Sequence, residues 1–166
     1  MKKVLPFAGL IAFVLALVAL ILMLATNAIV FKSGNVQVVY PGTYALFGHE
    51  SEGLLDGSYK PSVLALIGFI LLIVGLLAAC AGVLGGLLKI KALAKLGGLL
   101  ALVAAGCFLV AGIFMFLVLP TFAAANDWNN TDNCSIGAGW VIGAILALAG
   151  AAFAALPAVM GLLGKK

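Results

Sequence analysis

The sequence predicts an all-α integral membrane protein: a four-transmembrane-helix antiparallel bundle with a small extracytoplasmic β-hairpin in its first outer loop. The first observation is composition, because 66% of the 166 residues are hydrophobic and only 8% are charged, against about a quarter charged in soluble domains. The second is the presence of four uncharged runs long enough for a bilayer helix, which needs about 20 apolar residues. The third is the placement of lysine. We therefore expect one membrane domain, residues 1–166.

The lysines predict the orientation of this domain. All nine basic residues are lysines, and most of them lie at the chain ends or between the second and third runs: Lys2, Lys3, Lys89, Lys91, Lys95, Lys165 and Lys166. The other two, Lys32 and Lys60, share the remaining connections with all five acidic residues. By the positive-inside rule, both termini are predicted to be cytoplasmic. Lysine pairs at membrane edges also favour anionic lipids as partners, and they do not indicate nucleic acid.

The first span is predicted at about residues 4–31. Its uncharged run is longer than the 7 to 15 residues of a signal-peptide core, so we expect it to be retained. Outer loop 32–61 follows, in which Val36, Val38 and Tyr40 alternate as in a strand. Pro41-Gly42 is a turn dipeptide, and the returning strand is predicted at 43–47. Because an isolated hairpin is marginal in water, it should pack on the second outer loop or on a partner.

The remaining spans follow from the other apolar runs and the prolines. They are predicted at 62–88, 92–119 and 136–163, with a short cytoplasmic loop at 89–91 and a second outer loop at 120–135. Pro120 is expected to end the third span, and Pro157 to bend the fourth.

Aromatic residues mark the outer side, since every Tyr and Trp lies in or beside the two outer connections. Tyr59 and Trp140 suit the interfacial belt of a membrane protein. Four others are candidates for an outer contact surface: Tyr40, Tyr44, Phe47 and Trp128. The alternative is that these side chains form a small outer core.

The fourth span carries small residues at every fourth position: Gly139, Gly143, Ala147, Ala151 and Ala155. Small residues let membrane helices approach closely. Packing within the chain is favoured over oligomerisation here, because four spans must first satisfy one another.

Three groups of polar residues outside the spans are candidates for chemistry. His49, Glu50 and Glu52 lack a second histidine, so no catalytic metal site is expected. Residues 127–133 offer alternating oxygen ligands but lack the glycine and closing glutamate of an EF-hand, which favours a solvated loop. Asn129 and Asn133 each begin an N-x-S/T triplet. No cofactor and no small-molecule substrate is indicated.

Cys134 is the one cysteine placed outside the membrane, without an intramolecular partner. We expect a free thiol, an intermolecular bridge or a buried thiol.

The plan of four spans and a longer first outer loop carrying strands resembles that of claudin-like tetraspan proteins. The resemblance is one of topology, since 31–60 has neither the Trp nor the two Cys of that family's first loop, and Gly53-Leu54-Leu55 stands where the family has Gly-Leu-Trp. No functional residue is transferred.

The function predicted is that of a non-enzymatic scaffold or accessory subunit that assembles with itself or with a membrane-protein partner. Charge-free span cores argue against proton relays and ion-coupled carriers. The alternative is a small oligomeric channel or transporter subunit. A membrane enzyme using His49 is the weakest alternative.

Overall fold

The computed structural model describes residues 5–50, 57–88 and 91–163, without the side chains of 5, 6, 86, 87, 91–95, 158 and 160–163. Glu52, the predicted loop residues 89 and 90, and the terminal lysine pairs lie outside the described part. The helices and strands, in chain order, are α1 Leu5–Ala25, β1 Asn27–Ser33, β2 Val36–Pro41, α2 Gly42–Phe47, α3 Val63–Leu87, α4 Lys91–Phe116, α5 Val118–Ala125, β3 Cys134–Ile136 and α6 Ala138–Leu163.

Four of these helices, α1, α3, α4 and α6, are long and apolar enough to cross a membrane. They alternate in direction along the chain, as predicted. Helices α1 and α4 each contact both α3 and α6, so the four form a closed ring. All three strands lie at one end of the bundle, which we call the sheet end. The other end, where α1 begins and α4 starts at Lys91, is the opposite end.

The interior of the bundle combines many small residues with a few large ones, among them Leu72, Phe108 and Met115. Ala12, Ala16 and Ala19 of α1 are buried, and Gly150 of α6 approaches Ala12 so closely that an added Cβ would lie 3.3 Å from its carbonyl oxygen. Many other large apolar side chains point outward, on all four helices: Ile21, Ile70, Leu77, Leu99 and Ile142 are exposed. Such a continuous apolar exterior is unfavourable in water and is typical of a multi-pass membrane protein.

The first helix is shorter than predicted. It ends at Ala25, and Thr26 closes its last turn by donating from Oγ1 to the Leu22 carbonyl at 2.6 Å. The apolar residues that follow form β1 rather than more helix, and Ala28 and Ile29 are fully buried there. Hydropathy alone does not separate a buried strand from the end of a span.

A hairpin is present in the first connection, but its predicted pairing is wrong. β2 pairs with the preceding β1, from Ser33↔Val36 to Ile29↔Tyr40, and the turn is Gly34-Asn35. Gly34 has a φ of 57°, the left-handed conformation that a two-residue hairpin turn requires. Residues 43–47, predicted as the returning strand, lie in α2.

The hairpin packs on the second connection, which was one of its two predicted supports. β3 pairs antiparallel with β1, which gives the strand order β2-β1-β3. Pro120, predicted to end the third span, lies in the first turn of α5 instead. Proline is tolerated there because the N–H groups of a first turn have no intrahelical acceptor. The helix is interrupted earlier, at Leu117, between α4 and α5.

Candidate contact surface at the sheet end

An aromatic cluster forms the base of the sheet end. Tyr40 of β2 lies 5.1 Å from Trp128 and 5.2 Å from Tyr59 between ring centroids, and Phe122 of α5 meets Trp128 edge-on at 5.4 Å. These separations fall in the range favoured by aromatic pairs. The cluster therefore joins β2 to α5. It also joins the end of the first connection, at Tyr59, to the second connection, at Trp128.

The four predicted contact residues divide between this cluster and the surface. Tyr40 and Trp128 are half-buried within the cluster, in the small outer core that was the alternative prediction. Tyr44 is half-buried and stacks on His49 at 4.1 Å. Phe47 is 58% exposed, so it is the only one of the four that the bundle leaves open.

Trp140 is not at the bundle surface, where an interfacial belt residue would lie. Its side chain is fully buried in the core, against Gly42. Its indole Nε1 is the one buried side-chain nitrogen or oxygen without a hydrogen-bond partner among the described residues.

Hydrogen bonds hold the two connections together. Asn126 accepts from the Lys60 N–H at 2.7 Å and donates back to the Lys60 carbonyl at 3.0 Å, as a neighbouring strand residue would. Ser62 is fully buried, caps α3 by accepting from the Ala65 N–H, and bonds the Thr121 hydroxyl at 2.7 Å. The bonds that join Asn126 to Lys60 and Thr121 to Ser62 have no signature in the sequence, because the partners are distant in the chain. The capping of α3 by Ser62 is local.

A cavity of about 530 Å³ opens beside the hydrogen bonds between Asn126 and Lys60. Phe47, His49, Tyr59 and Asn126 lie in its walls. Its charged lining is mixed: Glu50, Lys60 and Asp127. Across the described residues, no group of three His, Cys, Asp or Glu side chains is placed to hold a metal ion. The cavity thus favours neither an anion nor a cation.

Among the described residues no further strand pairs with β2, so the free edge of the sheet lies on this strand. Lys32 of β1 donates its backbone N–H to the Asn133 carbonyl at 2.9 Å, so its backbone groups point away from β2. In an antiparallel ladder its partner Gln37 must then point away from β1, and alternation gives the same direction to Val39. Gln37 and Val39 therefore present their N–H and C=O groups at the edge. All residues from Lys32 to Val39 are exposed.

The opposite edge, on β3, is less available. This strand has only three residues, and the Cys134 N–H is already donated to the Thr131 carbonyl. Cys134 is a free, half-buried thiol, and burial raises its pKa, which lowers its thiolate fraction and its reactivity. The exposed sequon residues Asn129 and Asn133 lie in the loop before this strand.

The small-residue series of the fourth span faces the inside of the chain. A Cβ added at Gly139 would overlap Thr26 at the end of α1, and one at Gly143 would lie 2.7 Å from the Met115 side chain of α4. Further along α6, Ala147 and Ala151 are buried and Ala155 is half-buried.

The ionisation of Tyr40 gives a pH prediction. Burial, together with a hydrogen bond to Tyr59, raises the pKa of Tyr40 to about 12, whereas an unfolded Tyr titrates near pH 10. Between these values the unfolded state binds fewer protons, so the free energy of unfolding falls as pH rises. We expect thermal unfolding scans at pH about 8 and about 11 to show a larger loss for the wild type than for Tyr40→Phe. Equal losses would contradict the raised pKa of Tyr40.

No protein-family profile matches this chain, and no curated protein matches its sequence.

Proposed function

We propose that this chain is a non-enzymatic four-span membrane scaffold or accessory subunit that assembles through its sheet end. The single observation that carries the proposal is the free edge of β2, where Gln37 and Val39 offer unpaired backbone groups between exposed valines. Natural edge strands are usually blunted by charge, proline or a bulge. β2 ends at Pro41, next to an irregularity in its pairing between Asn27 and Ile29 of β1, but from Val36 to Tyr40 it has no charged residue, no proline and no bulge. Strand addition at such an edge is a common mode of recognition.

The membrane orientation is part of this proposal. The apolar exterior of α1, α3, α4 and α6 supports insertion, and the lysine distribution supports cytoplasmic termini. The sheet end then lies on the far side of the membrane, with the acidic residues Asp127 and Asp132. The aromatic cluster anchors the hairpin at its Tyr40 end, against Phe122 of α5 and Trp128.

Purification in mild detergent tests the proposal. We expect the wild-type particle to contain more than one chain, or a stoichiometric membrane-protein partner. Val39→Pro should reduce it to a single chain, because proline removes an outward N–H but no hydrogen bond to β1. Val39→Thr keeps the N–H and the β-branched shape, so it should assemble as the wild type does.

Two results would contradict the proposal. A wild-type particle that is a single chain without a partner removes assembly altogether. Normal assembly of a folded Val39→Pro variant removes the β2 edge as the contact.

A small oligomeric channel or transporter subunit is the second candidate. The observation that favours it is an open face on α4, where a Cβ added at Gly98 or Gly106 would meet nothing within 4 Å. Copies packed through this face could enclose a path selected by diameter and backbone polarity. Flux of ions or solutes into liposomes that contain the reconstituted protein tests this candidate. An absence of flux under every imposed gradient removes it.

A further inference from the structure

We infer that the β2 edge is covered by the β2 edge of a second copy of this chain, and that the two strands pair antiparallel about a two-fold axis at Val38. This inference rests on the proposed assembly at the sheet end and names its partner. Closed two-fold pairs are the commonest symmetric assemblies, in which the same surface of each copy meets itself.

The backbone selects this register. With Val38 opposite Val38 of the second copy, Gln37 of each chain faces Val39 of the other. Both are residues whose N–H and C=O groups point outward, so each such pair exchanges two hydrogen bonds. Every outward group of the two residues in both copies is then paired.

The neighbouring registers pair fewer groups. Moving the second strand by two residues in one direction places Gln37 opposite Pro41, which has no N–H to donate. Moving it the other way places Val39 opposite Asn35, which lies in the hairpin turn rather than in β2. The strand thus has one register that uses its whole free edge.

The side chains suit the same register. Val36 is 61% exposed and Val38 is 40% exposed, and both lie on the face of the sheet that carries Tyr40. In the paired sheet, Val38 meets Val38, and Val36 meets Tyr40 of the second copy. Pairs of β-branched and aromatic residues are the favourable cross-strand pairs of antiparallel sheets.

Charge does not oppose the pairing. Lys32 is the only charged residue in the three described strands, and it lies on β1 opposite Gln37. The Lys32 residues of the two copies would be three strand spacings apart across the sheet and two residues apart along it, which is more than about 14 Å and exceeds the screening length of about 10 Å at 0.1 M salt. A charged peptide would gain no ion pair from β2, because β2 has no charged residue. A second β2 edge is also uncharged, so pairing with it desolvates no charged side chain of either strand.

Disulfide trapping tests the axis at Val38 in a Cys134→Ser background. In a non-hydrogen-bonded antiparallel pair the Cα atoms are about 4.5 Å apart, within the range that a disulfide spans. We expect Val38→Cys chains in membranes to cross-link with mild oxidant. Val36→Cys is the matched control. In this register, residue 36 of each copy faces Tyr40 of the other, so the two introduced thiols are four residues apart along the strands. Its cross-linking should be at least about tenfold slower.

Each result decides between the two proposals. Equal rates at the two positions, or no product from Val38→Cys in a particle that still contains several chains, overturn self-pairing and leave the proposed function standing. A single-chain wild-type particle without a partner overturns the proposed function itself. If reduced Val38→Cys does not purify as the wild type does, co-expressed Gln37→Cys and Val39→Cys chains repeat the test, since these two positions face each other.

Discussion

Gly42→Ala is expected to abolish the folded sheet end. An added Cβ would overlap the Met23 carbonyl oxygen and lie 2.9 Å from the Trp140 indole nitrogen. Gly42 also donates its N–H to the Thr26 carbonyl at 2.8 Å, so it cannot withdraw without losing that bond. Overpacking a core costs about 1–3 kcal/mol, and more where the obstacle is backbone; we expect a loss of at least about 3 kcal/mol. Reversible unfolding in detergent measures it.

Gly106→Ala is the matched control. It lies in the interior of α4, where a new Cβ meets nothing within 4 Å. Alanine in a helix interior is about 0.5–1 kcal/mol more favourable than glycine, so this variant should unfold no earlier than the wild type. Similar stability of the two variants would contradict the close approach of α1, α2 and α6.

Trp140→Ala is expected to have the second large effect. Trp140 is the largest fully buried side chain among the described residues, and it fills the space between α6 and Gly42. Removing a buried aromatic ring costs about 3–5 kcal/mol through lost burial and the cavity that remains. Detergent unfolding of this variant should show a loss of that size, and a loss below about 1 kcal/mol would contradict the burial of the ring.

Trp140→Phe separates the ring from its nitrogen. Phenylalanine keeps an aromatic ring in the site and removes the Nε1–H, which has no acceptor among the described residues. An unsatisfied buried donor costs about 1–3 kcal/mol, which offsets part of the lost volume. We therefore expect a much smaller loss of stability than in Trp140→Ala.

The four long helices could be predicted because the requirement is local: a run of about 20 apolar residues is sufficient. Their ends could not, because they depend on contacts between distant segments. Residues 27–31 are uncharged and are predicted as the end of the first span, but they belong to β1, which pairs with β2 on one side and β3 on the other. Pro120 looks like a helix end in the sequence, and only the break at Leu117 places it in a first turn.

The candidate surface was predicted in part. Alternation at Val36, Val38 and Tyr40 indicated a strand, but the choice of 43–47 as its partner hid the free edge on Gln37 and Val39. The period of two gives the faces of a strand and says nothing about which neighbour it pairs with. Trp140 was placed at the membrane interface because it lies near a span end, and its burial depends on the space that Gly42 leaves.

Hydrogen exchange at two backbone amides tests the central claim most directly. In a single chain, the N–H groups of Gln37 and Val39 point away from β1 and should exchange rapidly. If the β2 edge is covered in the membrane, both amides should be protected in lipid nanodiscs holding the assembled particle and should lose that protection in particles diluted to one chain. Fast exchange of both amides in the assembled particle would contradict assembly through this edge.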